Sequence, residues 1–398
     1  MKKYLFVLGT YYPNPSANGI CVDKIIKRLE SDGDSCIVLS LKDDTVNFQN
    51  DFSKTKMYFL KNTNLQNGKI LNSLFFVIKR LILIPIWPII SPRLVFNYYK
   101  SIIKIIEDEK VDNVILVHKP MDTIVAGYFV KKKYNTIKFY HYYLDSFSTG
   151  TVPKHLTKNR LRKYGMKLEK FLSKSSEKTF ILRSNEENYN HFIKKNSWEN
   201  VYFVDIPLMD DFHHEYPKKN NKEIDVSYVG SLPTGIRDPE FTIKLLLQVK
   251  NIKINFYGDI LPDNLKRIYK SEIESGVIVE HGQISHSKIN QIYEKSDFLI
   301  SIGAISGNFI PSKIFEYMNT GKPIINIYSQ NSDISIKYMH RYKNAVSINE
   351  FSDLKESRDL INKFIINNRN KISDNHFLKK EFEENYPEHV IEKIRRDY

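Results

Sequence analysis

The chain has 398 residues, more than one ordinary hydrophobic core supports, so its length predicts two domains. Its 41% hydrophobic and 27% charged residues exclude wholesale disorder. Lys and Arg number 60 against 46 Asp and Glu, and the net charge of +14 favours an anionic partner: nucleic acid, an acidic membrane surface or a phosphorylated substrate.

The first half of the chain alternates short apolar runs with helical patterns. The apolar N-terminal run is too short for a secretory signal and predicts a buried strand. The two cysteines, Cys21 and Cys36, form no disulfide framework, which fits a reducing compartment. Predicted strands cover residues 3–10, 36–41, 57–60, 113–118, 137–142, 178–183 and 200–206, and two of the intervening helices cover 122–133 and 159–172. This alternation predicts a doubly wound parallel sheet in an N-terminal domain of residues 1–206.

A polar stretch at residues 207–223 predicts an interdomain linker, and the alternation then restarts. Predicted strands of the second half cover residues 225–229, 253–257, 277–281, 297–302, 323–328 and 345–348. They predict a second Rossmann-like domain over residues 224–370. The charged helical segment at 371–398 is expected to pack back toward the first domain.

Residues 71–100 are unusually apolar but contain Lys79 and Arg80 at the centre of the apolar run and several prolines. A membrane-spanning helix needs roughly 20 apolar residues without such interruptions, so a transmembrane segment is not predicted. Two interpretations remain open: a buried helical hairpin, or a basic amphipathic surface in a membrane interface with Trp87 as an anchor.

Several predicted strands end in residues that bind ligands in other proteins. In two facing doubly wound domains, ligands bind in the cleft outside the carboxyl ends of the strands. The candidates at strand ends are Gly19, His118, Lys119, residues 141–145, Gly230, Ser231, Arg237, Gly258, Asp259 and residues 303–316. Each also has an ordinary structural interpretation, because a single histidine at a strand end is more often structural and Gly230 suits a tight turn.

A short predicted helix follows the strand at 297–302. Ser312 begins this helix, Gly321 ends it, and Glu316 shares a face with Ser312. The first amides of a helix have no partner within it and the macrodipole is positive there, which suits a ligand with phosphates and hydroxyls. Metal-ligand spacing, a P-loop, a nucleophile elbow and a nucleic-acid recognition helix are absent from the sequence.

Three segments of the chain carry a resemblance to a known family. Residues 311–318 (PSKIFEYM) with 321–324 (GKPI) resemble the C-terminal signature of GT-B glycosyltransferases, most closely family 4 of bacterial polysaccharide assembly. Residues 228–232 (YVGSL) resemble the first strand and loop of that family's donor domain, and residues 11–19 its N-terminal glycine loop. The resemblance implies two Rossmann-like domains that face each other across a cleft.

The resemblance also assigns roles to residues. It implies that Glu316 holds the ribose hydroxyls and that Ser312, Lys313 and Arg237 contact the diphosphate. It implies further donor-binding residues, which are Gly19, Gly230 and Pro311. His141 would lie near the donor sugar after the fifth strand, with His118 as its rival. This chain departs from the family at Asn308, where the first of two paired glutamates is expected, and at Ser231, where arginine is usual.

The implied reaction is transfer of a sugar from a nucleotide sugar, UDP-sugar in preference to GDP-sugar, to a lipid-linked saccharide in surface polysaccharide biosynthesis. It would proceed with retention and without a metal or cofactor. The expected location is the cytoplasmic face of the plasma membrane, with residues 71–100 on the anionic lipid surface and no nucleic acid as partner. The alternatives are a sugar-nucleotide epimerase and a non-catalytic module that binds nucleotide sugars or membranes.

Overall fold

A computed structural model describes residues 1–11, 16–42, 55–61, 91–150, 157–210, 216, 222–285, 288–305 and 312–396. The chain divides into two units, of which the first comprises Met1–Pro207 with Glu384–Tyr398 and the second Leu208–Glu383. Among the described residues, each unit contains one wholly parallel sheet with its own hydrophobic core.

The first unit has a sheet of seven described strands in the order β3-β2-β1-β4-β5-β6-β7. The strands are β1 (Lys3–Val7), β2 (Ser35–Lys42), β3 (Lys56–Lys61), β4 (Asn113–His118), β5 (Lys138–Tyr143), β6 (Lys178–Leu182) and β7 (Val201–Val204). The helices are α1 (Ala17–Ser31), α2 (Pro92–Glu109), α3 (Met121–Lys133), α4 (Lys158–Ser173) and α5 (Glu186–Asn196). All six residues of β4 are buried, as expected of a parallel strand covered on both faces.

The second unit has six described strands in the order β10-β9-β8-β11-β12-β13. The strands are β8 (Ile224–Gly230), β9 (Ile252–Gly258), β10 (Ile278–Gly282), β11 (Phe298–Ile302), β12 (Ile324–Tyr328) and β13 (Ala345–Asn349). The helices are α6 (Glu240–Leu246), α7 (Asp263–Ile268), α8 (Lys270–Glu274), α9 (Ile289–Lys295), α10 (Lys313–Asn319), α11 (Ile334–Tyr342), α12 (Leu354–Asn368) and α13 (Asn375–Glu381). Every strand predicted from the sequence is present in the two sheets, with small shifts at its ends.

The C-terminal residues divide between the two units. The helical pattern predicted for the C-terminal segment is interrupted, because α13 ends at Glu381 and a further helix, α14 (Pro387–Arg395), begins at a proline. Proline lacks the N–H that would continue a preceding helix but is tolerated in a first turn. α14 belongs to the first unit, where Arg395 forms 2.8 Å ion pairs with Asp32 and with Asp34.

Two of the sequence predictions fall largely outside the described residues. These are most of the linker at 207–223 and residues 71–90 of the apolar segment. The remainder of that segment is Ser91 and the first half of α2, and the Ser91 hydroxyl caps α2 by accepting from Leu94 N. Within the described residues, no helix is both long and apolar enough to cross a membrane.

The strand order of each sheet reverses direction once. In the first sheet β1 lies between β2 and β4, and in the second sheet β8 lies between β9 and β11. Ligands of doubly wound sheets bind at the carboxyl ends of the strands beside this reversal. Functional residues are therefore expected at the carboxyl ends of β1 and β4 in the first unit and of β8 and β11 in the second.

Candidate functional site

In the second unit, α10 is fixed beside the carboxyl end of β8. The Tyr317 hydroxyl accepts from Val229 N at 3.0 Å and donates to Val229 O at 3.1 Å, which ties the helix to the last residues of the strand. Burial raises the pKa of Tyr317, so the phenol stays protonated and can make both hydrogen bonds. This anchor places the neighbouring residue, Glu316, at the reversal point of the sheet.

The Glu316 carboxylate is held through one of its two oxygens. Oε2 accepts from Lys313 Nζ at 2.7 Å and from Tyr293 Oη at 3.1 Å, and the side chain is 21% exposed. Burial, and then the Glu316 charge, raises the pKa of Tyr293, which keeps this phenol a donor. Oε1 accepts no hydrogen bond from the described residues, so an oriented carboxylate oxygen is left for the hydroxyls of a ligand.

Ser312 occupies the N-cap position of α10, as predicted. Its backbone is already in the right-handed helical region and its side chain makes no capping hydrogen bond. α10 is only seven residues long, and the charge of Lys313 in its first turn is paired with Glu316. Pro311 and Asn308 lie outside the described residues.

Arg237 lies beside the loop that follows β8. Its Nη1 donates to Ser231 O at 3.2 Å, and the turn that carries it is tied to the end of β11 because Ile305 N donates to Ile236 O at 2.9 Å. Burial raises the pKa of Tyr317 and the pKa of Asp333. The positive charge of Arg237 lies near both groups and partly opposes each increase. The structure therefore brings Arg237 and Gly230 to the same sheet edge as α10.

Gly230 is approached closely by the neighbouring strand end. At Gly258, φ is +114° and an added Cβ would lie 2.2 Å from Gly230 O, so the position requires glycine. The next residue, Asp259, accepts from Leu232 N at 2.8 Å through Oδ2 and so fixes the loop after β8. Asp259 is thus a support for the loop that carries Ser231.

In the first unit, His118 ends β4 at the reversal point. Its Nδ1 lies 2.6 Å from Asp145 O, and because a carbonyl only accepts, Nδ1 carries the proton. Burial lowers the pKa of His118 to about 4, so the ring is neutral at pH 7 and Nε2 holds a lone pair. Nε2 accepts no hydrogen bond from the described part of the chain, which makes it a candidate acceptor for a hydroxyl proton.

His141 does not follow the fifth strand, as was expected, but lies within it. It is paired with Leu116 of β4 and Thr179 of β6, and its side chain has no exposed surface. Burial lowers the pKa of His141 to about 3, and its Nε2 lies 3.5 Å from Ser175 Oγ. In this conformation His141 is part of the core, and of the two histidines only His118 ends a strand.

Gly19 was expected in a loop but lies in the first turn of α1. Its amide donates to the Oγ of the N-cap residue Ser16 at 3.2 Å, and Asn18 donates to His118 O at 2.9 Å. The Gly19 amide is therefore already satisfied within the protein. It is Asn18, which sequence reasoning did not single out, that connects the start of α1 to the end of β4.

Glu169 is a buried carboxyl that sequence reasoning missed. It accepts from the amides of Phe147 at 3.2 Å and Ser148 at 3.3 Å and from the Tyr189 hydroxyl at 2.9 Å. These contacts hold the loop after β5, which supplies Asp145 O to His118. The signal was present, because Glu169 follows Gly165 by one helical turn in the buried stripe of a helix whose other charged residues are all basic.

Glu169 gives a first testable prediction. Burial raises the pKa of its carboxyl from the ordinary 4.5 to about 7, against the opposing hydrogen bonds. Between these values the folded protein keeps a proton that the unfolded chain loses, so this group lowers the free energy of unfolding as pH rises. The glutamine of Glu169→Gln cannot titrate. As pH rises from 4.5 to about 7, we therefore expect the free energy of unfolding of the variant to increase by about 3 kcal/mol relative to that of the wild type.

Urea denaturation of both proteins as a function of pH measures this difference. Glu177→Gln is the matched control, because Glu177 is exposed and paired with Lys131 on the same unit. A constant difference between Glu169→Gln and the wild type over the whole window would contradict the buried, protonated carboxyl.

No protein-family model and no curated protein sequence matches the chain, whereas solved structures match it over nearly its full length. The lipopolysaccharide outer core galactosyltransferase WaaB has a TM-score of 0.55 at 13% identity, covering 99% of each chain. HepE from Anabaena, solved with UDP and glucose, has a TM-score of 0.57 at 13% identity, covering 99% of this chain and 98% of that one. A Listeria monocytogenes protein, a candidate UDP-N-acetylglucosamine 2-epimerase, has a TM-score of 0.52 at 12% identity, covering 96% and 98%.

These similarities concern the fold. Together with the two parallel sheets, they confirm the GT-B fold class predicted from the sequence. Among the described residues, no group of three or more His, Cys, Asp or Glu side chains is placed to hold a metal ion.

Proposed function

We propose that this protein is a glycosyltransferase that uses a nucleotide-sugar donor. The observation that carries this assignment is the Glu316 carboxylate, which is fixed through Oε2 at the reversal point of the second sheet with Oε1 left to accept. A carboxylate that accepts from adjacent ribose hydroxyls is a strong, charge-assisted way to bind a nucleotide. The fold shared with a galactosyltransferase supports the same assignment.

The donor is proposed to be a UDP-sugar in preference to a GDP-sugar. HepE, which has the same fold, was solved with UDP and glucose. Cleavage of the sugar leaves negative charge on a diphosphate, and the Arg237 cation beside Ser231 and the Lys313 cation at the start of α10 would stabilise it. This scheme uses the nucleotide sugar as substrate, with no metal and no resident cofactor, and proceeds with retention as the family resemblance implies.

The acceptor is proposed to be a lipid-linked saccharide of surface polysaccharide biosynthesis, met at the inner face of the plasma membrane. The support is the apolar and basic composition of residues 71–100, of which Ser91 and the start of α2 are described. In the first unit, His118 Nε2 is the group proposed to accept a hydrogen bond from a reacting hydroxyl.

A donor panel tests the assignment. We expect UDP to raise the melting temperature, and one UDP-sugar to release UDP and transfer labelled sugar to an organic-extractable product when membrane extract supplies the acceptor. The binding part follows from mass action, since a ligand that binds only the folded state stabilises it. The measurements are thermal shift, UDP release and label in the lipid fraction, each with UDP-sugars and GDP-mannose.

The outcomes separate the alternatives. An altered sugar nucleotide formed without acceptor would favour the epimerase, the second candidate, whose support is the fold shared with the Listeria protein. Binding of UDP-sugars without turnover on any membrane fraction would favour a non-catalytic module. No thermal shift with any nucleotide sugar would overturn nucleotide-sugar use altogether.

A further inference from the structure

Three helices of the first unit form a continuous outer layer. α2 packs against α3, and α3 packs against α4. The rings of Tyr128 on α3 and Phe171 on α4 lie 5.2 Å apart and join the last two helices. The outward side of this layer carries both large aromatic side chains and an unusual charge pattern.

Each helix of the layer exposes an aromatic ring with a lysine beside it. Four rings are between 48% and 53% exposed, which are Phe96 on α2, Phe129 on α3, and Tyr164 and Phe171 on α4. Lysine ammonium groups lie near the ring centroids, at 4.4 Å for Lys100 on Phe96, 5.8 Å for Lys132 on Phe129 and 6.0 Å for Lys174 on Phe171. Single exposed apolar residues are common on protein surfaces. The same pairing of a lysine with an exposed aromatic ring on three neighbouring helices is uncommon and suggests a binding surface.

The charge of this layer is mostly positive. The only acidic residues of α3 and α4 are Asp122 and Glu169, and both are buried. α2 carries acidic residues only in its last turn, at 107–109. Exposed basic residues are present on all three helices, including Arg93 and Lys104 on α2, Lys133 on α3, and Arg160, Arg162 and Lys167 on α4. The surplus of positive charge in this layer therefore comes from α3 and α4, because the three basic and three acidic residues of α2 cancel.

We propose that this basic–aromatic face, formed by the outward sides of α2, α3 and α4, binds the surface of a bilayer containing anionic phospholipids. Lysine stems reach along apolar surface with their heads at the phosphates, and phenylalanine rings without a polar group gain from insertion at the acyl boundary. Nucleic acid is the less suitable occupant, because the sequence contains no nucleic-acid recognition module. The face extends the contact predicted for residues 71–100 onto two more helices and is independent of the nucleotide-sugar assignment.

Vesicle sedimentation tests this face with the full-length protein. We expect binding to phosphatidylcholine vesicles that contain phosphatidylglycerol, little binding to phosphatidylcholine alone, and weakening by salt. A variant with Lys132, Lys163, Lys167 and Lys174 each changed to Glu should lose at least about 100-fold in partitioning, since each basic residue near an anionic surface contributes about fivefold. Phe129→Ser with Phe171→Ser should also weaken binding, and this loss should persist at high salt.

The matched control reverses four exposed lysines of the second unit, Lys250, Lys337, Lys355 and Lys363, to Glu. It has the same net charge as the first variant, so equal losses in both would overturn a specific face in favour of general charge. Tighter binding of single-stranded nucleic acid than of anionic vesicles at equal phosphate would also overturn the lipid assignment. UDP binding is measured on the same variants as a separate test of the proposed function. If the wild type bound vesicles but not UDP, the proposed function would fail while the lipid-binding face would stand.

Discussion

Replacing Glu316 with alanine is expected to weaken UDP binding by about 2 kcal/mol, which is about 30-fold in Kd. The carboxylate is oriented before any ligand arrives, because Lys313 and Tyr293 both donate to Oε2. Its loss removes the oriented acceptor and leaves the Lys313 charge without its partner. The fold should persist, because Tyr317 keeps α10 bonded to Val229.

Titration calorimetry with UDP and with its 2′-deoxy and 3′-deoxy forms locates the effect on the ribose. If Glu316 accepts from the sugar hydroxyls, a deoxy form should weaken binding to the wild type but change little in Glu316→Ala, which is a double-mutant cycle between protein and ligand. Glu316→Gln, which keeps an acceptor oxygen but no charge, should lie between the two. Glu274→Ala is the control, since Glu274 is paired with Lys270 on an exposed helix of the same unit. Equal affinities of Glu316→Ala and the wild type would contradict the assignment.

The fold was predictable because parallel strands covered on both faces are short, nearly continuous apolar runs. β4 was predicted with its observed ends, and β11 within one residue. Glycines and polar residues mark where each such strand stops, so the carboxyl edges could also be located. The α10 region was predictable for the same reason, since Ser312 and Gly321 mark the two ends of the helix.

Side-chain environments within a fully covered sheet were less predictable. β5 is lysine followed by aromatic residues and His141, with the last five residues buried, so no alternation of polarity shows which face or end the histidine occupies. Glu169 was missed for a related reason, because a single carboxyl in a basic helix suggests an exposed ion pair. Its place in the buried stripe of α4 was the available signal, and the contacts with Tyr189 and the loop after β5 show what holds the carboxyl there.

The second large effect is expected at His118. Changing His118 to Asn should lower kcat of the proposed transfer by about 100-fold or more, because a positioned acid or base commonly contributes about 100- to 10,000-fold. The Asn side-chain amide can still donate to Asp145 O in place of Nδ1, so the loop after β5 keeps its support. The substitution thus removes the Nε2 acceptor and the ring contacts with Tyr143 and Phe147 but retains a donor to Asp145.

The pH dependence of kcat separates this chemical role from a purely structural one. Burial lowers the pKa of His118 to about 4, so the wild type should lose activity only as pH falls toward that value, well below the ordinary histidine range near 6.5. His118→Asn should lack this acidic decline, while its affinity for UDP, a ligand assigned to the second unit, stays unchanged. His191→Asn, a substitution of a histidine on the surface of α5, should behave as the wild type. A His118→Asn variant with wild-type kcat and the same acidic decline would assign the reaction to another group, because the asparagine retains a donor to Asp145 but lacks the lone pair of Nε2.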